Sequence, residues 1–114
     1  MSVEAVDPEG PLGRNLIETA ETSEAYQRIF DYLTERYPLV SSGTSITRAD
    51  GRYIVKFSLA HEERSASSSI NVVIRDGDVL STEGSVTYHN DDRESLTEHV
   101  EYRNGSISPV IVGV

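Results

Sequence analysis

Between residues 22 and 37 the apolar side chains recur at helical spacing. Tyr26, Ile29, Phe30, Leu33 and Tyr37 fall at i, i+3, i+4, i+7 and i+11, the stripe of a single helix face. Thr22 or Ser23 is placed to cap this helix, because a hydroxyl there satisfies an amide that has no partner within the helix. Glu24 lies in the first turn, where the helix dipole favours a negative charge, and pairs at i, i+4 with Arg28. Pro38 ends the element, since the residue before a proline is pushed out of helical geometry.

Beyond Ser41 the period changes to two. Tyr53, Val55, Phe57 and Leu59 alternate with Arg52, Ile54, Lys56 and Ser58, the signature of a half-buried strand. Asp50-Gly51, Asp76-Gly77 and Asn104-Gly105 punctuate this part; each dipeptide accepts the positive backbone angles of a type I′ hairpin turn. Asn90-Asp91-Asp92-Arg93 supplies a further, more polar turn. Strands are predicted near 44–49, 52–60, 68–75, 79–89, 95–103 and 106–112. The polar stretch 61–69 (HEERSASSS) reads as a loop or a bulged strand edge, and Pro109 places the last strand at a sheet edge.

Residues 1–21 carry two prolines and two glycines before Arg14 and read as an arm. Leu16 and Ile17 can dock it or begin a short helix after Pro11. The whole predicts an α+β fold. One amphipathic helix packs on an antiparallel meander of about five to six strands, because neither apolar surface is stable alone. The irregular N-terminal arm spans 1–21 and a single α+β domain spans 22–114. In residues 25–80, AYQRIFDYLTERYP, DGRYIVKFSLA and RDGDVL give an order of elements that is similar to small cystatin-like or PepSY-like domains. That resemblance implies a helix laid on a curled sheet and carries no activity with it.

The formal net charge is −9, which argues against direct binding to nucleic acid or anionic membrane, since both attract basic patches. Lys56 is the single lysine among ten Lys and Arg residues, and the acids are spread along the chain. Such a profile fits a haloarchaeal protein or a haloarchaeal-virus protein, whose self-repulsion molar salt screens. There is no cysteine, so disulfides and thiolate ligands are excluded. Neither a signal-peptide pattern at the N-terminus nor an apolar run near the ~20 residues of a membrane span is seen. A cytoplasmic or virion location is expected.

The chemistry-bearing residues form no established motif. His61-Glu62-Glu63 lacks the second histidine of a zinc protease, Ser65 standing in its place, and the mechanism needs both imidazoles on one helix face. His89 and His99 fall on neighbouring strands out of register, leaving His89 with Asp91 or Asp92 as the nearest metal-like cluster. Asp76-Gly77-Asp78 lacks the other ligands of a calcium loop. No Gly-x-Ser-x-Gly elbow and no phosphate loop occurs. Asn104-Gly105-Ser106 fits a glycosylation sequon but is explained by its turn. Glu98 shares a strand face with Leu96, Val100 and Tyr102, which reads as a face reaching solvent or a defended sheet edge; the alternative is a buried carboxylate serving as acid or base.

No catalytic residue, metal ligand or cofactor is therefore assigned, and enzymatic activity is not what these patterns point to. The expectation is a structural or protein-interaction subunit of a larger assembly, pairing with a protein partner or with itself as a homo-oligomer. Its sheet edges are open to strand addition. Tyr32, Tyr88 and Tyr102 are the candidate interaction surface. The alternative is a small-ligand domain or minor enzyme with a helix–sheet pocket lined by Tyr26, Phe30, Tyr53, Phe57 and Glu98. A third reading, an acidic mimic of nucleic acid that blocks a basic partner, rests on charge alone.

Overall fold

The computed structural model describes residues 3–62, 66–89 and 95–112. These form seven strands and two helices: β1 (Glu4–Val6), α1 (Pro11–Glu21), α2 (Glu24–Arg36), β2 (Leu39–Ala49), β3 (Arg52–His61), β4 (Ala66–Arg75), β5 (Asp78–His89), β6 (Ser95–Arg103) and β7 (Ser106–Val112). All strands belong to one antiparallel sheet in the order β1-β2-β3-β4-β5-β6-β7. The expected α+β class and antiparallel meander are present, with one more strand and one more helix than the sequence pattern predicted.

Both additions lie in the segment expected to be an irregular arm. Pro11 sits in the first turn of α1, where its missing N–H would have no helical partner in any case. Leu16 and Ala20 bury one side of the helix. Gly13 lets the chain before it close up: a Cβ there would lie 2.0 Å from the Asp7 carbonyl oxygen. Ahead of that loop, β1 pairs with the second half of β2, Glu4 opposite Arg48 and Val6 opposite Ile46.

Helix α2 begins where the sequence places it. Ser23 is its N-cap and accepts a hydrogen bond from the Tyr26 amide. The three dipeptide turns all carry positive φ at both central residues: Asp50 and Gly51, Asp76 and Gly77, Asn104 and Gly105. Each joins consecutive strands by two residues, the geometry that matches strand twist. The described ends of the 61–69 stretch belong to strands. His61 closes β3 and Ala66 opens β4, while Glu63, Arg64 and Ser65 lie outside the described residues, as does the Asn90 to Arg93 turn.

The helices lie on one face of the sheet, α1 against β3 and β4, α2 against β4 to β7. The core between the layers contains Ile29, Leu33, Val55, Ile70, Val72, Ile74, Val86 and Val100, all essentially without solvent exposure. Gly84, in the middle of β5, lets α2 approach the sheet. A Cβ at this position would stand 2.5 Å from Cγ2 of Ile29. Among the described residues no helix covers the opposite face. Hydroxyls meet across it, with Ser69 Oγ 3.3 Å from Ser85 Oγ and Thr87 Oγ1 3.2 Å from Thr97 Oγ1, and Ile54 stands opposite Val73 nearer one end. An antiparallel sheet tolerates one wetted face when alternation puts polar residues there.

Candidate functional site

The described residues hold three places where polar or exposed groups gather: a cluster around Glu98, a buried histidine, and the free half of β2. Glu98 is on the helix-covered face of β6 and is 3% exposed. It does not mark a solvent-facing or edge position, because β7 covers the outer side of β6 and α2 lies above it. Its Oε1 accepts hydrogen bonds from Tyr32 Oη at 2.7 Å and from Arg36 Nη1 at 2.8 Å. Arg36 also donates to the Tyr32 hydroxyl and lies over the Tyr32 and Tyr37 rings at 5.2 and 5.7 Å. Burial, the hydrogen bond to Glu98 and the Glu98 charge hold the Tyr32 hydroxyl above its ordinary pKa. Burial opposes the Arg36 charge, but Glu98 with Tyr32 and Tyr37 outweighs it and raises the guanidinium. A buried carboxylate needs a charge partner and hydrogen bonds to offset lost hydration. Glu98 has both, so it ties α2 to the sheet and offers no free acid for catalysis.

His61 is also buried, at 6% exposure. Its Nδ1 lies 2.7 Å from the Tyr37 carbonyl oxygen and its Nε2 lies 2.6 Å from Ser68 Oγ. A carbonyl only accepts, so Nδ1 carries the hydrogen, and in the neutral ring Nε2 accepts from the Ser68 hydroxyl. A base-activated serine shows the same donor order. Here Ser68 is itself buried, and the pair connects β3 and β4 to the chain leaving α2. No group of three or more metal-ligating residues exists among the described residues. His99 is exposed and faces Ser85, while His89 pairs in register with Ser95.

The residues named from sequence separate into different environments. Tyr26, Phe30 and Phe57 come together: the Tyr26 ring stacks on Phe30 at 5.7 Å and tilts against Phe57 at 4.6 Å, between α2 and the sheet. Burial, then the Glu21 charge, pushes the Tyr26 hydroxyl up to about 12. Tyr53 stands apart from them, with the Arg48 guanidinium over its ring at 5.7 Å, and Glu98 belongs to the cluster with Arg36. Tyr32, Tyr88 and Tyr102 all lie on the covered side and are half-buried. Tyr88 packs 6.3 Å from Tyr37. Tyr102 reaches the start of α2, where burial and then its hydrogen bond to Glu24 raise its pKa.

The third place was not among the residues read from sequence. A type I′ turn closes on a hydrogen-bonded pair, so backbone groups alternate in direction from there along the strand. From the Asp50-Gly51 turn, Ala49, Thr47, Ser45 and Gly43 face β3, while Arg48, Ile46, Thr44 and Ser42 face away. β1 pairs with Arg48 and Ile46 and leaves at Asp7. The amides and carbonyls of Ser42 and Thr44 thus point from an open edge, unpaired among the described residues. Beside them Leu39 and Val40 are exposed at 38% and 66%. A groove of about 590 Å³ lies next to this edge, lined by Ser41, Ser42, Gly43, Leu59, His61 and Ala66 among others.

The other end of the sheet differs. From the Asn104-Gly105 turn, the same alternation aims Ile107, Pro109 and Ile111 outward. Pro109 therefore puts a position without N–H in the middle of the β7 edge, one of the devices by which exposed edges are blunted.

No family model, curated protein or solved structure matches this chain. Among the described residues no helix is long and apolar enough to cross a membrane.

Proposed function

We propose that this chain is a non-enzymatic interaction subunit that receives a strand from a protein partner along the free half of β2. The observation that carries the reading is the outward-facing, unpaired backbone of Ser42 and Thr44 beside exposed Leu39 and Val40. Strand addition gains main-chain hydrogen bonds along such an edge, and the adjoining groove takes side chains of the incoming strand. The one usual defence along this half of β2 is the bulge between Leu39 and Ser41. Residues 39–47 contain no charge and no proline, whereas natural edges are guarded by both. Against an enzyme, Glu98 is already bonded to Tyr32 and Arg36, and Tyr26, Phe30 and Phe57 pack on one another.

The working environment belongs to the same proposal. Every described acid except Glu98 and Glu101 is exposed, which suits a salt-rich cytosol or a virion assembled there, because molar salt screens their repulsion. The test places a photo-crosslinking amino acid at Val40 in the full chain within its native cells. A discrete adduct, reduced in a Thr44→Pro version, supports the reading. Irradiated cells that yield only uncrosslinked chain overturn it.

A further inference from the structure

We infer that the strand added to β2 comes from a second copy of this chain, so that two molecules pair β2 to β2 about a two-fold axis beside Ser42. This rests on the strand-addition reading above and names its partner. Three observations lead to it.

First, charge complementarity selects a neutral occupant. A two-fold axis brings each residue near its own copy, so any charge on the segment would face a like charge. In a chain of net charge −9, residues 39–47 (LVSSGTSIT) carry none. A charged peptide would find no opposite charge on this edge, whereas the same segment of a second copy is equally neutral.

Second, the pattern is compatible with itself. With Ser42 on the axis, the two Ser42 residues exchange their outward N–H and C=O groups, and Thr44 of each copy comes beside the bulge between Leu39 and Ser41 of the other, where Val40 lies. An antiparallel pair of hydrogen-bonded residues needs that alignment. Exposed Leu39 and Val40 then cover apolar area against the neighbouring strand. β1 does not obstruct the pairing, because it stops at Ile46 and turns away at Asp7.

Third, the free half of β2 keeps its outward N–H groups, whereas β7 does not keep all of its own. If β7 were equally open, β2-to-β7 contacts would propagate head to tail into filaments. Pro109 breaks the outward donor row of β7, so the remaining edge pairs with its own copy and the assembly closes at two.

The inference makes salt an assembly signal. Two copies of charge −9 repel in dilute buffer, and screening removes that barrier without touching the neutral contact. Dimerisation therefore strengthens as KCl rises, the opposite of an interface held by ion pairs.

The experiment is analytical ultracentrifugation of the full chain over a concentration series, at molar KCl and at about 0.1 M KCl, where the Debye length is about 10 Å. The expected species at molar KCl has twice the chain mass of 12.6 kDa. Thr44→Pro removes an N–H that points away from β3, so the hairpin keeps its own bonds while the dimer constant weakens tenfold or more. Val40→Glu alters a side chain 66% exposed and so leaves folding intact, yet sets two negative charges against the neighbouring strand; it weakens the dimer similarly. Val110→Glu on β7 leaves it unchanged. Circular dichroism confirms that each variant is folded.

A monomer at every salt and concentration overturns the self-pairing. So does a dimer that survives Val40→Glu but is lost with Val110→Glu. Neither result touches the broader reading, which stands if the Val40 crosslinker captures a protein of another mass in an adduct that Thr44→Pro reduces, and falls if it captures none.

Discussion

Two neighbouring rows of side chains cross the same six strands and have opposite environments. On the covered side, Thr44, Phe57, Ile70, Gly84, Val100 and Pro109 follow one another from β2 to β7. One residue along each strand, on the open side, the row is Gly43, Ser58, Ser69, Ser85, His99 and Val110. The middle of the first row lies under α2 and has no room for an extra carbon at Gly84. The second meets water and is satisfied by small hydroxyls. Backbone and pairing are shared, so the difference is entirely one of which side chains the alternation sends to which face. It also locks register, since a slip of one residue would exchange the two rows.

The comparison can be broken most severely at Ile29, which faces Gly84 and has no solvent exposure. Ile29→Ala is expected to cost about 2–5 kcal/mol of unfolding free energy, measured by urea titration at molar KCl. Next comes Gly84→Ala: the added carbon meets Cγ2 of Ile29 at 2.5 Å, and overpacking of this kind costs about 1–3 kcal/mol. A double substitution, Gly84→Ala with Ile29→Val, sharpens the point by recovering part of the loss if the clash is the cause.

A smaller, pH-dependent effect belongs to Tyr26. Its folded-state pKa is raised from 10.0 to about 12, so the folded chain holds the phenol proton more tightly than the unfolded one. The stability is complete below pH 10 and falls as pH rises from there toward about 12. Urea midpoints across that range should decline, and Tyr26→Phe should flatten the decline. A slope equal in both proteins would assign the alkaline loss to other groups. The smallest change is expected on the open face. Ser69→Ala removes only the 3.3 Å contact with Ser85 and should shift stability by no more than about 0.5 kcal/mol. A loss comparable to that of Gly84→Ala would mean that the hydroxyl rows are structural after all.

What the sequence disclosed follows from which interactions are local. Helix α2 and strands β2 to β7 are legible because their signals are periodic or lie in dipeptide turns. Strand β1 was hidden by the prolines and glycines that follow it, and helix α1 showed only as the short helix that could begin after Pro11, without a side-chain cap at Gly10. Pro11, Leu16 and Ala20 held the available signal, and Gly13 concealed it by looking like a loop residue. His61 was read as part of a polar stretch, although the alternation Tyr53, Val55, Phe57, Leu59 already extends to it. Glu98 was legible as an acid among apolar neighbours, but its partner Arg36 lies 62 residues earlier, on a helix. No spacing rule links them. The free edge at Ser42 and Thr44 could not be read at all, because it exists only through where β1 stops.

The order of strands carries a kinetic consequence. Each pairing from β2 to β7 joins neighbours in the chain, so the sheet can grow hairpin by hairpin with short loops to close. Only β1 returns across two helices to reach β2. The strand that shields Ile46 to Arg48 is thus expected to dock late, leaving the newly made sheet with its longest bare margin. A nascent chain would pass through a stage in which that entire margin is open, and crowding or co-synthesis of several copies would then bias how molecules first meet.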